Sequence, residues 1–354
     1  MTRLLLDVSG HGFGHLVQSA PVVNELARAV PGLTLTVRTN LPAHLLDERL
    51  EVAYDRVAEA PDPGLAMTDA LTVDRAGSFA RYQAFHHQWL QSIAAEARWL
   101  SQREFDLVLA DVPYRSLAGA TASGIPAVAL CSLNWGGVFH HYLGDRSGAD
   151  AIHKQIRDAY RKARLFIQPE PHMPMRDLIN RQEVGPVAPR PPEGISALRQ
   201  RLAGDRRLGL VTLGGIPFPL TPSDWREDPE TLWLVDGAGP GRPDQRDLHE
   251  ADAAPLDLLA ASDIVVTKPG YGTFVEAACQ GVDVLYLPRG DWPEELYLMD
   301  WIHRHTRAGR LSWRDLVAGR FGPMYEALGT LPRPERPCCD GAREAAAKLM
   351  EQLA

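Results

Sequence analysis

The 354-residue chain is short of lysine: only Lys154, Lys162, Lys268 and Lys348 among its 37 basic residues carry an ammonium group. The arginine excess reads as genome composition and not as function. Cysteine is also scarce. Cys131, Cys279, Cys338 and Cys339 fall at spacings that fit no zinc site, and the adjacent pair is poorly placed for a mutual disulfide. A reduced, cytoplasmic protein is therefore expected. No apolar run approaches the roughly 18 residues that a membrane-spanning helix needs, so no integral membrane association is expected. The three leucines after "MTR" are too few for a secretory signal. A formal net charge of −8 leaves no surplus of positive charge for general nucleic-acid binding.

What the chain does have is alternation. Its length exceeds what one hydrophobic core usually serves, so two domains are expected. In the first half, "RLLLDVS", "LTLTVRTN", "FDLVLAD" and "PAVALCS" read as strands, separated by helical patterns such as "VQSAPVVNELARAV" and the long "YQAFHHQWLQSIAAEARWLSQR". That is the rhythm of a parallel sheet covered by helices, and a doubly wound sheet is its economical topology. The proline-rich "VGPVAPRPPEG" marks a connection, after which a second strand and helix series begins with "LGLVTLGG". The expected division is residues 1–183, a linker at 184–194, and 195–354, with "GAREAAAKLMEQLA" as a terminal helix of the second domain. Segments 217–229 and 237–249, rich in Pro, Gly and Asp, read as loops.

Two glycine-rich turns stand out. In "DVSGHGFGHL" the glycines at 10, 12 and 14 alternate with His11, Phe13 and His15. This is not the G-x-G-x-x-G of a dinucleotide turn, because a histidine stands where the last glycine belongs. The second turn lies in "ASDIVVTKPGYGTFVEAACQG", where a buried strand ends at Lys268 and a helix starts near Thr273. Unsatisfied N–H groups at such a helix start, together with its dipole, favour a phosphate. Gly270 and Gly272 permit close backbone approach, Thr273 adds a hydroxyl, and Lys268 offers a charge for a phosphate or for a structural ion pair. A ligand-free glycine turn is the plain alternative.

This second segment resembles the donor site of GT-B nucleotide-sugar glycosyltransferases. A closer resemblance is to the glycosyltransferase-like N-terminal region of L-arabinokinase and its stand-alone bacterial relatives. "GHGFGH", "FDLVLADV", "GIPAVALCSLNW", "ASDIVVTKPGYGTFVEA" and "PEELYLMDWI" occur there in the same order, over roughly residues 3–320. The resemblance implies an α/β chain of two Rossmann-like, doubly wound domains facing across a cleft. The chain stops soon after the second α/β unit, so kinase activity is not expected.

By the same resemblance, Gly272 and Thr273 contact the donor diphosphate and Glu276 binds ribose hydroxyls. Glu294 and Glu295 lie where related enzymes hold sugar hydroxyls. Many relatives carry Gln at the second of these positions, so Glu295 leaves the sugar open. Gly14 is counted among the donor-binding positions. His15 matches the base of an inverting transferase and Asp111 the aspartate that orients it, with His11 as the alternative base. Asn134 and Trp135 either shape an acceptor pocket or pack in the interior. No acidic metal-binding triplet is seen, so neither a cofactor nor a tightly bound metal is expected. The expected function is transfer from a nucleotide sugar, UDP-linked first, to an unknown hydroxyl acceptor. A nucleotide-sugar epimerase and a nucleotide-sugar sensor without turnover are the competing readings.

Overall fold

The short apolar runs of the first half are strands buried on both faces, which a parallel sheet between two helical layers requires. The computed structural model describes residues 2–69, 72–214, 220–239 and 241–353. Its strands in the first half are β1 (Arg3–Val8), β2 (Thr34–Arg38), β3 (Tyr54–Val57), β4 (Leu107–Asp111), β5 (Ala127–Leu130), β6 (Leu165–Pro169) and β7 (Arg181–Val184). They pair in the order β3-β2-β1-β4-β5-β6-β7, every pair parallel. The strand order reverses between β1 and β4, whose register sets Val8 beside Asp111. In open α/β sheets, such a switch point at the carboxyl ends of the strands is where ligands bind.

The helices of this half are α1 (Gly14–Ala29), α2 (Ala43–Arg49), α3 (Arg75–His86), α4 (Trp89–Ser101), α5 (Tyr114–Ser123), α6 (Trp135–Leu143) and α7 (Ala149–Lys162). The single long helix expected between residues 82 and 103 is instead broken at Gln88, where φ is −121° and ψ 46°. His86, at the end of α3, is buried, with Nε2 2.8 Å from the Tyr114 hydroxyl and Nδ1 2.6 Å from the Gln155 amide oxygen. The apolar pattern continues across the break, so periodicity does not reveal it.

The second half forms α8 (Ile195–Ala203), β8 (Arg207–Val211), β9 (Thr231–Val235), β10 (Gln245–Asp247), α9 (Pro255–Ala261), β11 (Ile264–Thr267) and α10 (Tyr271–Gln280). It continues with β12 (Asp283–Tyr286), α11 (Glu295–His305), β13 (Ala308–Arg310), α12 (Trp313–Val317), α13 (Gly322–Gly329) and α14 (Gly341–Leu353). The sheet order is β10-β9-β8-β11-β12-β13, again all parallel, with its switch point between β8 and β11. β10 lies in a segment read as a loop: its three residues pair with β9 although their side chains are polar. Residues 217–219 of the other expected loop lie outside the described residues, and Pro222–Asp224 form a 3-10 turn.

The chain divides into one unit of residues 1–188 with 339–354, and a second of 189–338. This corrects the expected second domain of 195–354, because α14 belongs with the first sheet. Its apolar face, Ala342, Ala345, Ala346 and Leu349, is buried, and the helix packs on α1. The Gly341 N–H donates to the Pro186 carbonyl, and the Glu344 carboxylate accepts from the Gly185 N–H at 2.8 Å. An amphipathic pattern shows that a helix needs a partner, but not which sheet supplies it. The cysteines also depart from expectation: Cys279 and Cys339 are disulfide-bonded, while Cys131 and Cys338 are thiols. Among the described residues, no helix is long and apolar enough to cross a membrane.

Candidate active site

The turn "SGHGFGH" leaves β1 at the switch point and opens directly into α1. It passes close to the end of β2: a Cβ on Gly10 would lie 1.7 Å from the Asn40 side-chain oxygen, so that position admits only glycine without rearrangement. Phe13 precedes α1 without a capping side chain. His15, in the first turn of the helix, is thereby turned inward, and only 5% of its surface is exposed. Gly14 stands exposed beside it.

His15 Nδ1 lies 2.8 Å from Asp111 Oδ1, and Asp111 is fully buried as the last residue of β4. The parallel pairing of β1 with β4 brings together two residues 96 positions apart. Burial pushes the Asp111 carboxyl above its ordinary range, and the hydrogen bond from His15 opposes that rise. With Nδ1–H donating to the carboxylate, the lone pair of the imidazole is on Nε2. That is the tautomer a general base needs.

His11 sits differently. Its Nδ1 accepts from the Leu65 N–H at 3.4 Å, which places the proton of the neutral ring on Nε2. Its ring meets Trp135 edge-on, with centroids 5.3 Å apart. Trp135 is fully buried at the start of α6 and also lies 6.0 Å from the His15 ring. Asn134 caps that helix, its side-chain oxygen accepting from the Gly137 N–H at 2.8 Å.

The Trp135 indole donates to Asp62 Oδ2 at 2.8 Å, and the Ser9 hydroxyl donates to Asp62 Oδ1 at 3.0 Å. Asp62 is a second buried carboxylate held above its ordinary range by desolvation, with those hydrogen bonds and His15 acting against the shift. Sequence reasoning missed it, because "APDPGL" looks like any proline-rich turn. Cys131, directly after β5, was missed as well: its Sγ lies 3.6 Å from His15 Nδ1.

In the second unit, β11 delivers Lys268 to the switch point, and α10 starts at Tyr271 with Gly270 before it and no side-chain cap. Gly272 is buried and Thr273 half-buried in this first turn. The helix therefore presents the uncapped donors that suit an anion. Gly214, after β8, has φ +82°, and a Cβ there would stand 3.2 Å from Lys268 Cε. Burial, with the charge of Arg289 nearby, pulls the Lys268 ammonium down to about 8. Arg289 is a further residue that sequence reasoning passed over, and its guanidinium lies 4.5 Å from the Trp292 ring centre.

Glu276 is buried one turn along α10. Glu294 and Glu295 are also both buried, where α11 begins. Glu295 accepts from the backbone N–H groups of Arg289 and Gly290, the shorter contacts being 3.0 and 3.2 Å, and Glu294 accepts from the Trp292 indole at 3.3 Å. Burial raises the Glu295 carboxyl and the backbone donors oppose it. The Glu pair thus shapes the turn after β12.

No family model matches the sequence. L-arabinokinase of Arabidopsis thaliana is 27% identical over 368 residues, a match that takes 98% of this chain and 34% of that protein. The chain thus spans about a third of the length of this curated relative. Among solved structures, the glycotransferase of kitacinnamycin superimposes with a TM-score of 0.62 at 16% identity, covering 99% of this chain and 94% of the other. UGT89C1 of Arabidopsis thaliana, complexed with UDP, superimposes at 0.58 and 15%, covering 100% and 94%. These matches define the class: the chain has the GT-B glycosyltransferase fold. Within that class its sequence is similar to part of L-arabinokinase.

Proposed function

We propose that the protein is a glycosyltransferase that moves a sugar from a nucleoside diphosphate sugar, UDP-linked first, to a hydroxyl acceptor with inversion at the anomeric carbon. The observation that carries this reading is the buried His15–Asp111 pair at a sheet switch point, in the tautomer that leaves Nε2 as a base. In the reaction, Nε2 takes the acceptor hydroxyl proton as that oxygen attacks the anomeric carbon. The bond from that carbon to the diphosphate oxygen breaks, and the nucleoside diphosphate leaves with the electron pair. Asp111 stabilises the imidazolium that results. The N-terminus of α10 and Lys268 supply preorganised positive potential for the leaving diphosphate, a kind of stabilisation worth several kcal/mol in transition states. Gly272 and Thr273 are assigned to the diphosphate, Glu276 to ribose, and Glu294 with Glu295 to the turn against the sugar.

Structural neighbours include a UDP complex, which supports uridine as the first donor base to try. The test is thermal unfolding of the purified chain with UDP, dTDP, GDP and their sugars. A nucleotide at about 100 times its dissociation constant stabilises the folded state by roughly 2.7 kcal/mol. A melting shift with one nucleotide family is expected. No shift with any of them, at millimolar ligand, removes the donor-site assignment and the transferase reading with it.

A further inference from the structure

Three neighbouring strands, β1, β4 and β5, end at the same edge, and each brings one metal-ligating side chain to a single point. His15 follows β1, Asp111 ends β4 and Cys131 follows β5. One ligand atom from each lies within 4.8 Å of the others, and all three residues are buried. We infer that this point is a binding site for a divalent cation of the zinc class, and that occupying it switches the His15 base off.

The donor set suits such an ion. Imidazole and thiolate are the preferred zinc ligands, and three protein ligands with one open position is a common arrangement. For tetrahedral zinc, bond lengths of about 2.0 Å to nitrogen and 2.3 Å to sulfur put the two donor atoms about 3.5 Å apart. The observed separation of Cys131 Sγ and His15 Nδ1 is 3.6 Å. The independent observation is on Asp111. Its Oδ2 is buried without a hydrogen-bond partner, an oxygen whose lone pairs are unused although burial makes that costly. A small rotation of the carboxylate offers this oxygen to the cation while Oδ1 releases Nδ1.

The proton balance follows from the contacts. In the metal-free state His15 Nδ1–H donates to Asp111 Oδ1, and Cys131 is a thiol with its sulfur 3.6 Å from that nitrogen. Binding converts the thiol to thiolate, and that proton leaves to solvent. The imidazole keeps its one proton but must carry it on Nε2, because Nδ1 now binds the cation. The lone pair that would accept the acceptor proton is gone, so the cation blocks the base without entering the reaction. The loss of turnover rests on the transferase reading above; the binding itself does not.

The test uses the full chain, stripped of metal and held under anaerobic buffer without reductant so that Cys279 and Cys339 stay disulfide-bonded, and titrated with Co2+. One equivalent is expected to produce visible bands of tetrahedral Co2+ with a thiolate charge-transfer feature, displaced by Zn2+. Cys131→Ser should remove the charge-transfer feature and weaken binding at least about tenfold, the loss typical of even an outer-shell partner. His15→Ala should weaken binding likewise, which keeps the test open if the cysteine variant fails to fold. Cys338→Ser, at an exposed thiol, and His249→Ala, in the exposed group of Asp236, Asp247 and His249, should leave the spectrum intact. Absence of the bands, their persistence in Cys131→Ser, or their loss in either control variant overturns the site. Bands without sugar transfer under any condition would overturn the transferase reading and leave the metal site standing. Turnover that is indifferent to Zn2+, with no bands, would do the reverse.

Discussion

On the proposed reading His15 and Asp111 divide one task, base and stabiliser, and the division can be measured. Asp111→Asn removes the negative charge that stabilises a protonated His15 and allows an amide N–H to donate to Nδ1, which moves the ring proton to Nε2. Turnover should fall at least about 100-fold, the lower end for losing general-base catalysis, while the melting shift given by the donor nucleotide is unchanged. If both are lost together, the carboxylate is holding the fold and not the base. Lys268 gives a second residue-level expectation. Its ammonium titrates near 8, so it is charged below that pH and neutral above it. Donor affinity should therefore fall as pH rises from 7 to 9, by up to about tenfold as the charge is lost. Lys268→Arg should flatten the profile, because a guanidinium stays charged across that range. Isothermal titration with UDP at several pH values reads both.

At the scale of elements, the buried end of α3 predicts an acid sensitivity unconnected with catalysis. Burial lowers the His86 imidazole to about 4, against about 6.5 for an unfolded histidine. Above pH 6.5 the ring is neutral in both states and its contribution is constant. Between 6.5 and 4 the unfolded chain takes up a proton that the folded one refuses, so stability falls with pH, by on the order of 3 kcal/mol in all. His86→Phe keeps a ring among Tyr82, Trp89 and Tyr114 and should flatten the melting temperature over that interval, even though it costs stability at neutral pH. A profile as steep as that of the unmodified chain would show that another group carries the acid response.

The apolar central strands, both switch-point turns and the helix that follows each were legible in the sequence, whereas the short outer strands β3, β7, β10 and β13 were not. Continuous apolar runs have few other uses, and glycines at a helix start are conspicuous. The histidine and aspartate were legible only through resemblance, since nothing in their spacing shows that they meet. Asp62 was not legible, because its role depends on a tryptophan 73 residues away. The same holds for Cys131, whose importance is one of position: a lone cysteine after a strand carries no signal until the neighbouring strands are placed beside it.

For the whole molecule, the return of the last helix to the first sheet has a weak point at Gly341. A Cβ there would stand 1.9 Å from the Gly185 carbonyl oxygen, a backbone atom with no freedom to rotate aside. Gly341→Ala should lift the start of α14 from the end of β7, at a cost of about 1–3 kcal/mol, as overpacking usually does. A melting temperature equal to that of the unmodified chain would show that the junction can give way freely. The route of the chain also sets an order of events during synthesis. Residues 189–338 leave the ribosome as an uninterrupted stretch and have every strand of their sheet once made. The first unit has all seven of its strands earlier still, yet waits for residues 339–354 to cover α1. The unit begun first is therefore finished last, and the face of α1 that α14 will occupy stays open throughout the translation of the other.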